Sequence, residues 1–247
     1  MRIGIGAGPD IRKVLSSAAG AGRGIQVFCY TSREHASGIS DPRLRVSDNP
    51  GESLVSALMD GGIDAAVRGS LPSNDTLRAL KAATGVDHLL RIAILSTREG
   101  RKFLLAPVGV DEGWMVEEKV ALVERGRELA ARFGLPGEVA VLSGGRLGDV
   151  GRHPVVDRTI AEAELVARLT GAVHREILIE DAIESAGMIL APDGISGNLI
   201  FRTLVFLGGG RAYGAPVVNI DRIFVDSSRA SPDYANALIT ASELAKR

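Results

Sequence analysis

Residues 2–18, Arg2-Ile3-Gly4-Ile5-Gly6-Ala7-Gly8-Pro9-Asp10-Ile11-Arg12-Lys13-Val14-Leu15-Ser16-Ser17-Ala18, decide the fold. Up to Ala7 the apolar residues and glycines form a short run of strand character, and Gly8-Pro9-Asp10 turns the chain into a helix. Ile11, Val14, Leu15 and Ala18 then recur at the spacing of one buried helical face. Strand, tight turn and amphipathic helix make one βα unit. The same alternation continues along the chain, which is the pattern of an α/β protein built on largely parallel sheets.

Outward from this unit, apolar runs predict strands at 25–30, 65–68, 88–95, 103–106, 139–142, 188–190 and 223–225. Helical spacing, opened by Pro, Ser, Asp or Asn and closed by Gly, predicts helices at 52–59, 73–83, 116–133, 154–169, 195–207 and 231–245. There is no internal repeat and no low-complexity tract. The stretch 98–114 is polar and irregular, so the chain is expected to cross there between two domains, 1–98 with 226–247 and 99–225.

Composition narrows the function. The 247 residues are 45% hydrophobic and 24% charged, ordinary globular values, with aromatics at only 4%, so the core must rest on Val, Ile, Leu and Ala. Net charge is -1 and no block of like charges occurs, which points away from nucleic acid and membrane surfaces and toward a small anionic substrate. Cys29 is the only cysteine and the histidines at 35, 88, 153 and 174 share no ligand spacing, so neither a disulfide nor a metal site is expected. The apolar stretch 188–207 is broken by Asp193, Asn198 and Arg202, and no signal-peptide pattern opens the chain; a cytoplasmic location is expected.

Three strand-to-helix turns carry an arginine each. In Ala191-Pro192-Asp193-Gly194-Ile195-Ser196-Gly197-Asn198 a glycine-rich turn meets a helix start, where free N–H groups favour an anion, and Arg202 lies one turn further on the same face. Asp226-Ser227-Ser228-Arg229 follows a strand and precedes the last helix, so Ser228 and Arg229 stand where ligands of open α/β folds sit. Val67-Arg68-Gly69-Ser70 repeats the pattern. For each turn the plain alternative is a tight bend, a helix cap and a surface ion pair. Taken together, the three suggest one anion-binding cleft.

Other motifs carry less. Gly4-Ile5-Gly6-Ala7-Gly8-Pro9 resembles a dinucleotide fingerprint but has Pro9 in place of its third glycine, so a phosphate-facing or structural turn is the better reading. Neither a Gly-Lys-Ser/Thr phosphate loop nor Gly-x-Ser-x-Gly occurs. Ser143-Gly144-Gly145-Arg146 ends a strand and reads equally as cleft lining or as a simple turn.

Pro192-Asp193-Gly194, Gly197-Asn198, Gly214-Ala215-Pro216 and Ser228-Arg229-Ala230 together resemble the signature of the phosphate acetyl- and butyryltransferases. Asn74-Asp75-Thr76-Leu77-Arg78-Ala79 and Val139-Ala140-Val141-Leu142-Ser143 extend the resemblance over most of the chain. It implies two α/β domains with a cleft between them, as in isocitrate and isopropylmalate dehydrogenases. It also implies transfer of an acyl group between phosphate and coenzyme A, which would be substrates and not tightly bound cofactors.

By the same resemblance Ser228 and Arg229 would lie at the catalytic centre, with Asp233 beside the position of the family's aspartate. Arg68, Gly69, Ser70, Asp193, Gly194, Gly197, Asn198 and Arg202 would bind substrate. Lysines usual in the family are replaced here by Arg68 and Arg202. More closely, the chain is similar to the methanogen Mtx subunit X family, also called methanogenesis marker protein 4. That family is archaeal, cytosolic and linked by its label to tetrahydromethanopterin and corrinoid methyl transfer; a homodimer is implied by the relationship to the acyltransferases. Three functions follow as alternatives: a phosphate-acyltransferase-like group transferase, a methyltransferase or its accessory, and a ligand-binding protein without catalysis.

Overall fold

The computed structural model describes residues 1–20, 22 and 24–246. They form two compact units, Met1–Leu89 with Tyr213–Arg247, and Leu90–Ala212. The chain opens with β1 (Arg2–Ala7), α1 (Ile11–Ala19), β2 (Gln26–Thr31), α2 (Arg33–Ala36), β3 (Leu44–Val46), α3 (Pro50–Met59), β4 (Ala65–Val67) and α4 (Ser73–Thr84). The second unit follows with β5 (Ala93–Ser96), β6 (Lys102–Ala106), α5 (Val116–Arg132), β7 (Val139–Val141), α6 (Pro154–Thr170) and β8 (Val173–His174). It ends with α7 (Ile179–Ser185), β9 (Met188–Leu190), α8 (Gly194–Phe206) and β10 (Arg211–Ala212). Strands β11 (Ala215–Pro216) and β12 (Phe224–Asp226) and helix α9 (Ala235–Ala245) complete the first unit.

In the first unit six strands run in the order β11-β12-β4-β1-β2-β3, all parallel except the edge strand β11. Side chains alternate across this sheet, as the strand period requires. Ile3, Ile5, Val27, Cys29, Ala65, Val67 and Val225 pack on one face against Ile11 and Val14 of α1 and Leu238 of α9. Tyr30, Ala66 and Phe224 pack on the other against Leu54 and Leu58 of α3 and Leu80 of α4. Gly4 and Gly6 point to this second face, where a Cβ would meet Ile63 at 2.5 Å and Leu71 at 2.2 Å. The glycine run of β1 therefore serves close packing under α3 and the β4 loop.

The second unit has the order β10-β5-β6-β9-β7-β8, with β6, β9, β7 and β8 parallel and β5 antiparallel to β6. Its central strands β6, β7 and β9 are apolar, with Leu104, Leu105, Ala140 and Ile189 fully buried, as a sheet covered on both faces requires. Two α/β units on mostly parallel sheets are what the alternation in the sequence predicted.

The unit boundaries differ from the sequence expectation of 98 and 225. Residues Arg98–Gly100 form the turn of the β5–β6 hairpin, closed by the Thr97 N–H donating to Arg101 O at 2.9 Å. A polar, irregular stretch there marked a hairpin and not a crossing, so β5 belongs to the second unit. At the other end β11 pairs with β12, which carries 213–225 into the first unit. The short edge strands β3, β8, β10 and β11 and helices α2 and α7 were not predicted; they are too short to show a period. Among the described residues, no helix is long and apolar enough to cross a membrane, and no three His, Cys, Asp or Glu side chains cluster as metal ligands.

Candidate functional site

Strand order reverses beside β1: the chain adds β2 and β3 on one side, then β4 and β12 on the other. At such a switch point the loops leaving neighbouring strands part toward opposite faces and open a crevice at the carboxyl ends. A cavity of about 800 Å³ lies there, lined by Gly8, Pro9 and Asp10 after β1, Ser70, Leu71 and Pro72 after β4, and Arg229 after β12. Asp10 at the head of α1 and the first turns of α3 and α4 reach it, and none of these helices has a side-chain cap. Their unbonded N–H groups and positive dipole ends therefore bear on one space.

The β1 and β4 loops are fastened to each other. Gly69 has φ +62, and a Cβ there would lie 1.9 Å from the Gly6 carbonyl oxygen, so no other residue fits without displacement. Beyond this bend the Ser70 N–H donates to Gly6 O at 3.1 Å, and the Gly8 N–H donates to Ser70 Oγ at 2.9 Å. Ser70 is only 3% exposed and lines the cavity, and its hydroxyl proton has no acceptor among the described residues. It is a donor without a partner.

Arg229 is exposed and its guanidinium makes no bond or ion pair among the described residues. Its backbone, in contrast, is held: Lys13 Nζ donates to Arg229 O at 3.4 Å and to Ser231 O at 3.1 Å, and the Tyr234 hydroxyl donates to Arg229 O at 3.5 Å. Burial pushes the Tyr234 hydroxyl above its ordinary pKa, against the pull of Lys13 and Arg68, so it stays a donor. Ser228 Oγ accepts from the Ala230 N–H at 3.2 Å, shaping the turn. Asp233 is exposed, accepts from the Ala235 N–H at 2.9 Å at the start of α9, and does not line the cavity.

Arg68 has another part than the one the sequence suggested. Only 5% exposed, it donates through Nε to Asp226, through Nη1 to Leu71 O at 2.7 Å and through Nη2 to Ser227 O. Its charge is met inside the protein, and it braces the strand ends on which Ser70 and Arg229 stand.

In the second unit the α8 turn is likewise self-satisfied. Asp193 Oδ1 accepts from the Ser196 N–H at 2.8 Å, so a carboxylate of the chain already fills the anion position at this helix start. Gly194 and Gly197 allow close backbone contact: a Cβ would lie 1.6 Å from Gly109 O and 1.9 Å from Pro107 O. Asn198 Nδ2 donates to Val108 O at 2.8 Å. Arg202 is exposed, with its guanidinium 5.3 Å from the Phe206 ring centre.

One arrangement escaped the sequence reading. Ser143 Oγ lies 2.8 Å from His174 Nε2, and His174 Nδ1 lies 2.7 Å from Glu164 Oε1. These residues come from the loop after β7, from β8 and from α6, and no sequence spacing links them.

With this geometry the chain was compared with known proteins. No family model matches it. A curated protein of Methanosarcina barkeri named "Putative methyltransferase mtx subunit X" is 46% identical over 203 residues, 80% of this chain and 75% of that one. The chain belongs to the Mtx subunit X family. A further relative of the Mtx subunit X chains, named as an uncharacterized methyltransferase of Methanopyrus kandleri, is 41% identical and matches over 99% of both sequences.

Among solved structures, the chain is similar to a branched-chain phosphotransacylase of Enterococcus faecalis, with TM-score 0.76, 14% identity and 99% of both chains covered. It is similar also to a phosphotransacetylase of Streptococcus pyogenes, with TM-score 0.71, 17% identity, and 99% of this chain and 94% of that one covered. An isocitrate dehydrogenase of Methylococcus capsulatus follows at TM-score 0.56 and 10% identity, covering 99% and 84%. The chain thus has the fold of the phosphotransacetylases, as the signature residues implied.

Proposed function

We propose that the protein is a group transferase whose substrate carries a phosphate-like anion, held in the cavity of the first unit. The observation that carries this reading is the convergence on one cavity of the unpaired Arg229 guanidinium, the spare proton of buried Ser70 and the uncapped starts of α1 and α4. Arg229 supplies a planar fork of donors that matches phosphate oxygens, and the helix starts supply amides. Inorganic phosphate, or the phosphates of coenzyme A, are the substrates proposed, in a methanogenesis-associated role.

The phosphotransacylase-like fold supports acyl transfer as the reaction, in which donors at this site would hold the phosphate that leaves or attacks. The printed names of the relatives favour a second reading, methyl transfer from a phosphate-bearing donor or service to an enzyme that performs it. Both use the same anion site. Calorimetry with phosphate and coenzyme A tests it: Arg229→Ala is expected to weaken binding by about ten-fold or more, the worth of a charge-assisted hydrogen bond. Unchanged binding would remove the site. Thiol-dependent release of phosphate from an acyl phosphate separates acyl transfer from methyl transfer, and binding with turnover in neither assay leaves a non-catalytic ligand-binding protein.

A further inference from the structure

The cavity has a second wall, and its chemistry differs from the first. Helices α1 and α9 pack on one face of the sheet, and α3 and α4 pack on the opposite face. A ligand at the switch point therefore lies across the carboxyl edge of the sheet and touches both layers. On the α3 side the lining is acidic. Of the cavity's four carboxylates, Asp10, at the start of α1, is matched by Lys13 at 3.3 Å and Asp75, in α4, by Arg78 at 2.8 Å. Asp48, in the loop after β3, and Glu52, in the first turn of α3, line the cavity with no ion pair among the described residues.

His35, from α2, also lines the cavity. The two unpaired carboxylates, Asp48 and Glu52, accept hydrogen bonds and repel anions. A bare phosphate satisfies Arg229, Ser70 and the helix starts and leaves Asp48 and Glu52 unused. A cavity of about 800 Å³ is far more room than one phosphate needs.

We infer that the substrate is a bipolar phosphate ester: its phosphate meets Arg229 and Ser70, and hydroxyl or ammonium groups at its other end donate to Asp48 and Glu52. This rests on the anion site proposed above and goes beyond it by naming what the rest of the ligand carries. Hydroxyl and ammonium share the needed chemistry, which is hydrogen donation to a carboxylate. A ligand with a second anionic group at that end is excluded by the like charges.

Calorimetry on the full chain with four probes tests the inference: inorganic phosphate, ribose 5-phosphate, O-phosphoethanolamine and 2-phosphoglycolate. The wild type is expected to bind ribose 5-phosphate or O-phosphoethanolamine about ten-fold or more tighter than phosphate, and 2-phosphoglycolate more weakly than phosphate. The tighter of the first two tells polyol from amine. Asp48→Asn with Glu52→Gln, both at exposed positions, should abolish these preferences and leave inorganic phosphate where it was. Preferences that survive the double substitution, or a wild type that does not rank the esters, overturn the bipolar ligand while leaving the anion site standing. Phosphate that fails to bind the wild type, or binds Arg229→Ala equally well, overturns the anion site and the inference with it.

Discussion

The guanidinium of Arg68 is locked onto the carboxylate of Asp226, joining the ends of two adjacent parallel strands, β4 and β12, inside the first unit. The two side chains are 6% and 11% exposed, so neither charge is met by water. Removing one partner strands the other in a poorly solvated place. Arg68→Ala or Asp226→Ala should lower the unfolding free energy by about 3–5 kcal/mol, measured by urea denaturation, and the double change Arg68→Met with Asp226→Leu should cost less than either. Because the pair braces the loops bearing Ser70 and Arg229, Arg68→Ala should also weaken phosphate binding in whatever fraction stays folded.

Gly69 makes the bend on which the β4 loop depends. Gly69→Ala forces a side chain onto a left-handed backbone and onto the Gly6 carbonyl. The expected cost is about 2–5 kcal/mol, the sum of backbone strain and overpacking, read from the shift of the thermal midpoint. Ser70→Ala leaves the Gly8 N–H without its acceptor and should cost about 1–2 kcal/mol, with a further loss in phosphate affinity.

Cys29 lies fully buried on β2, and burial pushes its thiol up to about 12 despite the nearby Arg43. Thiolate is the reactive form, so native protein should resist thiol reagents at neutral pH and react at one equivalent per chain when unfolded. Rapid labelling of the native protein would mean that β2 opens far more often than its packing implies.

Asp41 is gripped by Arg43, whose Nε donates to Oδ1 at 2.9 Å and Nη2 to Oδ2 at 2.7 Å, and these bonds hold its carboxyl down to about 2. The folded value lies below the ordinary 3.8, so the folded state binds this proton less readily than the unfolded one. Its stabilising contribution is therefore full above the ordinary value and is lost as pH falls toward the folded value. Urea midpoints measured through that interval should fall less steeply in Asp41→Asn than in the wild type.

How far the sequence could be read follows from these residues. The βα turns were legible because a strand end, a glycine and a helix start are local, and Gly69, Ser70 and Arg229 fall where that pattern put them. What Arg68 does was not legible, since its partner Asp226 is 158 residues away and only strand order brings them together. At Asp193 the free helix start was visible but not that its own side chain fills it. Asp48 and Glu52 gave no signal: Asp48 follows the three-residue strand β3, Glu52 reads as an ordinary first-turn acid of α3, and the weight given to both comes from what they lack as partners.

Ser143, His174 and Glu164 have the hydrogen-bond order of a nucleophilic triad, and their exposures argue against one. Ser143 is 1% exposed, the His174 side chain 6% and the Glu164 side chain 55%, so the chain of bonds leads from solvent inward and ends at the serine. A nucleophile must be reached by substrate; this one is the least reachable member. The proton count gives it a structural task instead. Ser143 Oγ is 2.8 Å from both Gly145 O and His174 Nε2, and a hydroxyl has one proton to give. The hydroxyl is shared between Gly145 O and the His174 ring, whose other nitrogen faces the Glu164 carboxylate at 2.7 Å. His174→Ala and Ser143→Ala should each cost about 1–3 kcal/mol in urea denaturation, with a coupling between them, because each breaks the same buried chain. A fluorophosphonate should leave Ser143 unmodified by mass spectrometry; modification of that residue would restore the triad as a catalytic centre.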